Sequence, residues 1–150
     1  MNVYELLSLE REPIIHEALT ALGRSHLAHY EADGDEHLRA RLGALFDLVR
    51  DSMHSRNATA MIRYAEKVAE ERFTAGFDLR EVQTAFNVLE EAMFKRLLDQ
   101  LSPQEIATAI GLVGTVLGLG KDALARRYVS LAAHMKAPSI DYRALFAGTV

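Results

Sequence analysis
The chain has 150 residues, about one domain's length, and an ordinary globular composition, 49% hydrophobic and 25% charged. A net charge of −4 and a pI near 5.9 offer no broad basic surface for phosphate backbones, which argues against nucleic acid as the main partner. With no cysteine there is neither a disulfide framework nor thiolate chemistry, consistent with a cytoplasmic location.

The first ten residues carry Glu5 and Glu10 and no basic cluster, so they do not read as a signal peptide. Residues 1–8 predict a short helical lead-in with Val3, Leu6 and Leu7 as its apolar side. Pro13 suits the first turn of a second helix, in which Ile15, Leu19, Leu22, His26 and His29 or Tyr30 continue the helical spacing as far as Ala32-Asp33-Gly34. Asp35 is the expected N-cap of a third, with Leu38, Leu42, Leu45, Phe46, Val49 and Met53 as its apolar stripe. Arg39, Arg41, Asp47 and Arg50 are expected on its wet face, and its end near His54-Ser55-Arg56.

Asn57 is expected to cap the first of two helices that organise the chain, Met61 to Leu101. Met61, Ile62, Ala65, Val68, Ala69 and Phe73 form one apolar face; Val82, Ala85, Phe86, Leu89, Met93, Leu97 and Leu101 form the next. Gly76 stands where a helix C-cap needs the left-handed conformation. Asp78 and Glu81 have capping-box spacing, with Phe77 and Val82 at the staple positions. So short a joint predicts antiparallel neighbours.

Ser102-Pro103-Gln104-Glu105 repeats the start signal. From Ile106 an apolar stripe runs through Ile110, Val113, Leu117, Leu124, Tyr128, Leu131 and Met135, and Pro138 ends it. Residues 138–150 are expected as a tail or linker, with Leu145 and Phe146 as the exit toward a partner. The uncharged run Ile106 to Gly120 is 15 residues with four glycines, short of the roughly 20 apolar residues of a membrane span, so it reads as a buried core helix and predicts no membrane association. No stretch shows strand alternation. The expectation is an all-α single domain over 1–150, five to six helices in a globin-like or helical-bundle arrangement.

No catalytic or metal-binding motif is present. The glycine-rich run ending in Lys121-Asp122 lacks the phosphate-loop pattern: Thr115 stands where glycine is needed and Asp122 where Ser or Thr is needed. Gly111, Gly114 and Gly118 are instead candidates for close helix packing, inside one subunit or at a dimer interface. Among six histidines, His26, His29 and His54 are the candidates for a haem or other cofactor ligand, although no metal-site spacing surrounds them. Surface or interface histidine is the simpler account, and no bound cofactor or metal is expected.

The segment Arg63 to Phe86 resembles the middle of the RsbR/RsbRD-type N-terminal regulatory domain. There a helix ending Ala-Glu-x-Arg-x-x-x-Gly precedes Leu-x-Glu-Val and a second long helix. The matching positions are Ala69, Glu70, Arg72, Gly76, Leu79, Glu81 and Val82, and the likeness spans about Leu22 to Ala133. The resemblance implies a helical, often globin-like regulatory domain without haem and without catalytic residues. Such domains are usually dimeric and pass a signal to an output module, an anti-sigma-antagonist type domain or a histidine kinase. The chain stops at Val150 with no output module, which suggests an excised domain or a stand-alone relative working through a separate protein. A cytoplasmic, non-enzymatic domain that dimerises and relays a signal is thus expected; the alternative is a globin-like sensor holding haem or another apolar small molecule.

Overall fold
The computed structural model describes residues 1–136; the Leu145-Phe146 exit and the 138–150 tail lie outside them. Among the described residues there are seven helices and no strand: α1 Val3–Leu9, α2 Arg11–Arg24, α3 Ala28–Asp33, α4 Asp35–Ser55, α5 Thr59–Thr74, α6 Leu79–Gln100 and α7 Pro103–Lys136. The all-α class holds, but five to six helices become seven.

One added element is α1. Asn2 and Glu5 cap it reciprocally, and Leu6 and Leu7 are fully buried, so the lead-in is part of the core. The other comes from a break in the second expected helix. α2 ends at Arg24, His26 takes a positive φ of 50°, and a six-residue α3 follows. Apolar spacing alone ran across that break, because Leu22 and Tyr30 are both buried on either side of it.

Two cap positions also shift by a residue or so. Gly34, at φ 84°, precedes α4, and Asp35 is its first residue. Asn57 lies outside α5, accepting the Thr59 N–H at 2.9 Å through its side chain.

The α5–α6 joint is built as its residues dictate. Gly76 has φ 88°, its N–H reaches the Phe73 carbonyl, and the Phe77 N–H reaches the Arg72 carbonyl at 2.9 Å, closing a Schellman cap. Asp78 and Glu81 form the capping box at the start of α6.

The two helices nevertheless do not lie side by side. α5 packs along α7, and α6 packs between α2 and α7. Met61 meets Gly120, Glu70 pairs with Arg127, and the Phe73 and Tyr128 rings meet edge to face at 5.6 Å, so α5 and the second half of α7 run parallel. The two-residue joint between α6 and α7 turns the chain back, so that Phe86 and Glu90 reach Gly120 and Lys121, whereas Lys95–Glu17 and Arg96–Glu10 set α6 antiparallel to α2. The buried residues of α5 are Met61, Ala65, Val68 and Ala69, and Gly120 of α7 leaves the room that the Met61 side chain fills.

α7 is one unbroken helix despite its glycines. Its buried side is Ala109, Val113, Val116, Leu117, Ala123, Leu124 and Tyr128, whereas Met135, expected in the stripe, is 69% exposed. It is long and apolar enough to cross a membrane by length and composition, but it is packed here along α4, α5 and α6.

Candidate functional site
Between α3, α4 and α5 the chain assembles a cleft that apolar periodicity does not announce. Tyr64, Val68 and Arg72 stand at four-residue steps on α5 and so share one side of it. Opposite them α4 supplies Arg41, Leu42 and Leu45, and α3 closes the end with Tyr30. An outer groove of about 390 Å³ runs between Ala40, Arg41 and Ala44 on one side and Tyr64, Lys67, Val68, Glu71 and Arg72 on the other. Behind it, sharing Arg41, Tyr64, Val68 and Arg72, is an interior cavity of about 30 Å³ whose deeper wall includes Leu22, Val82 and Phe86.

The short α3 is held over this cleft by polar contacts. Arg41 pairs with Asp33. His29 Nδ1 lies 2.8 Å from Glu81 Oε1, and its ring stacks on Phe77 with centroids 4.6 Å apart. A carboxylate only accepts, so His29 Nδ1 carries the proton and donates. Glu81 is buried and also accepts the Asp78 N–H at 3.0 Å. Burial pushes its carboxyl up, but the Asp78 N–H and His29 together outweigh burial and hold it below the usual carboxylate value.

The tyrosines are shifted the other way. Burial raises Tyr30 and Tyr64, against the opposing charge of Arg72, and pushes Tyr128 up to about 12. All three phenols are neutral hydrogen-bond donors at neutral pH; Tyr128 donates to the Phe77 carbonyl at 3.1 Å.

The three candidate histidines are not brought together. His26 is on the outer surface beside Glu31, His29 is engaged with Glu81, and His54 is exposed at the far end of α4, edge-on to Tyr4 at 4.7 Å. None lines the interior cavity. Among the described residues, no three His, Asp or Glu side chains are grouped to hold a metal.

Nor do the candidate glycines pack as expected inside one subunit. A Cβ at Gly111, Gly114 or Gly118 would meet nothing within 4 Å. The close approach is at Gly120, where a Cβ would stand 2.9 Å from Met61 Sδ and 3.2 Å from Phe86 Cε2.

Sequence reading missed Arg41 and Arg72 as members of one site. Arg41 has the spacing of a wet-face residue, and the Tyr64-Val68-Arg72 register was the available signal.

Compared with known proteins, residues 13–137 match the family model described as the RsbT co-antagonist protein rsbRD N-terminal domain. No curated protein and no solved structure matches the chain.

Proposed function
The chain belongs to the family of RsbT co-antagonist protein rsbRD N-terminal domains, a regulatory family of stressosome-related signalling, and from that premise we propose a non-enzymatic domain that dimerises and relays a signal to a protein partner. The supporting observation is the outward face of α7. Gly111, Gly118 and Val129 recur at spacings of 7 and 11 residues that return to one side of a helix. Val129 is 66% exposed, Leu119 beside this face is 40% exposed, and the glycines leave the backbone open to close approach. A second copy laid along this face would bury it and give the relay a shared helix pair. The partner is a signalling protein or an output module, and the cytoplasmic location and globin-like helix arrangement belong to the same reading.

Light scattering tests the dimer. The wild-type chain should run at twice its 16.7 kDa mass. Gly118→Glu adds a charge on this face where the subunit itself offers no obstacle, so it should run at the single mass with an unchanged helical circular dichroism spectrum. A wild-type chain that stays monomeric as concentration rises, or a variant that remains dimeric, removes this interface.

The haem alternative draws no support from the interior of the fold, and His54 lines only open surface grooves. The interior cavity is about 30 Å³, against the ~300–1,000 Å³ of ordinary ligand sites, and no candidate histidine lines it. A Soret band after haem addition would revive it.

A further inference from the structure
Among the described residues Arg72 is the one half-buried cation without a carboxylate partner within 4.0 Å. Its peers all have one: Arg11, Arg41, Arg50, Arg96, Lys121 and Arg127. Its guanidinium lies over the Phe77 ring instead, 5.5 Å from the centroid, which leaves its hydrogen-bonding edge uncommitted. A partly desolvated charge with no counter-charge is unfavourable unless something else supplies one.

The surroundings say what that something is. Arg72 lines both the outer groove and the interior cavity, as do Arg41, Tyr64 and Val68. The groove therefore presents three cations, Arg41, Lys67 and Arg72, against one carboxylate, Glu71, which lies 4.0 Å from Lys67, with the Tyr64 phenol and the small apolar residues Ala40, Ala44 and Val68 beside them. Arg41 is already shared with Asp33, so Arg72 carries the larger unmet demand. A guanidinium matches a carboxylate in a planar, two-bond fork, which a neutral group cannot reproduce.

We propose that the cleft between α4 and α5 is a binding site for a small organic carboxylate, its head on Arg72 with Arg41 and its apolar body along Ala40, Ala44 and Val68. The volumes set the pose. The outer groove is within the size range of ligand sites, whereas the cavity of about 30 Å³ admits only the tip of the apolar body. Tyr64 and Tyr30 line the cavity as neutral donors. Such a ligand would clamp α4 to α5 beside Tyr30 of α3. This goes beyond the regulatory reading above and is independent of dimerisation, because binding is read on the chain alone.

The chain has five tyrosines and no tryptophan, so its fluorescence reports tyrosine surroundings directly. The full 150-residue chain is titrated with benzoate and octanoate, and with the uncharged benzyl alcohol and 1-octanol. At least one carboxylate should saturate the fluorescence change and raise the melting temperature, with an affinity roughly tenfold or more above its alcohol, the scale of one charge-assisted contact. Arg72→Gln should abolish that margin, and Arg41→Gln should reduce it. Arg63→Gln, an exposed charge on the same helix, should bind as wild type. Equal binding of acid and alcohol by the wild-type chain overturns the proposal without any variant. So does a folded Arg72→Gln with unchanged affinity, or a loss in Arg63→Gln matching that in Arg72→Gln.

Discussion
Glu81 serves two structures at once. It is the third residue of α6, where its side chain accepts the Asp78 N–H, and it is the anchor that holds α3 through His29. The first role is local and was legible from Asp78 and Glu81 standing three apart. The second was not, because His29 is 52 residues away and only the break at His26 turns it toward α6. Replacing Glu81 with alanine leaves a part-buried N–H and a half-exposed imidazole donor without their partner, a cost of about 1–2 kcal/mol. Its pH dependence has a definite sign. A carboxyl held below its ordinary value of 4.5 stabilises the fold above that value and loses the contribution as pH falls through the folded-state value. In urea titrations the gap between wild type and Glu81→Ala should therefore be full at pH 7 and shrink below about pH 4.5. A gap that is constant with pH would mean that the carboxylate charge is irrelevant to the clamp.

At the scale of helices, α7 shows what spacing can and cannot reveal. Its start at Ser102-Pro103 and its inward residues Val113, Leu117, Leu124 and Tyr128 follow from cap chemistry and the 3.6-residue period. Which glycine is a contact does not, since that depends on where α5 and α6 cross. The α5–α6 turn was likewise readable from Gly76 and Asp78. The separation of the two helices beyond it goes with α5 packing along α7, where Met61 fits against Gly120, and no local signal encodes that partnership. The contrast between glycines yields a paired prediction. Gly114→Ala meets no obstacle in the subunit and gains helix propensity, so it should stabilise by about 0.5–1 kcal/mol. Gly120→Val must displace Met61 and Phe86, and should destabilise by roughly 1–3 kcal/mol in the same chemical denaturation series. Equal effects at both positions would contradict the packing of α5 on α7.

For the molecule as a whole, the three phenols around Arg72 tie several helices into one ionisation problem. Tyr30 belongs to α3, Tyr64 to α5 and Tyr128 to α7, and burial disfavours the phenolate of each. A phenol whose folded-state value is raised above its ordinary 10.0 leaves stability intact below pH 10 and withdraws it as pH climbs toward the folded value. For Tyr128, pushed up to about 12, the withdrawal is on the order of 2 kcal/mol across that window. The helices should consequently unfold together on alkaline titration, with the phenolate absorbance of these three tyrosines and the loss of helical signal rising in one transition above pH 10. Tyr128→Phe loses the bond to the Phe77 carbonyl, about 1 kcal/mol at neutral pH, yet should show a shallower alkaline fall than wild type. Phenolate in excess of what the two other tyrosines, Tyr4 and Tyr142, supply, appearing well before helix loss, would show that these three ionise within the folded protein and are wetter than their burial implies.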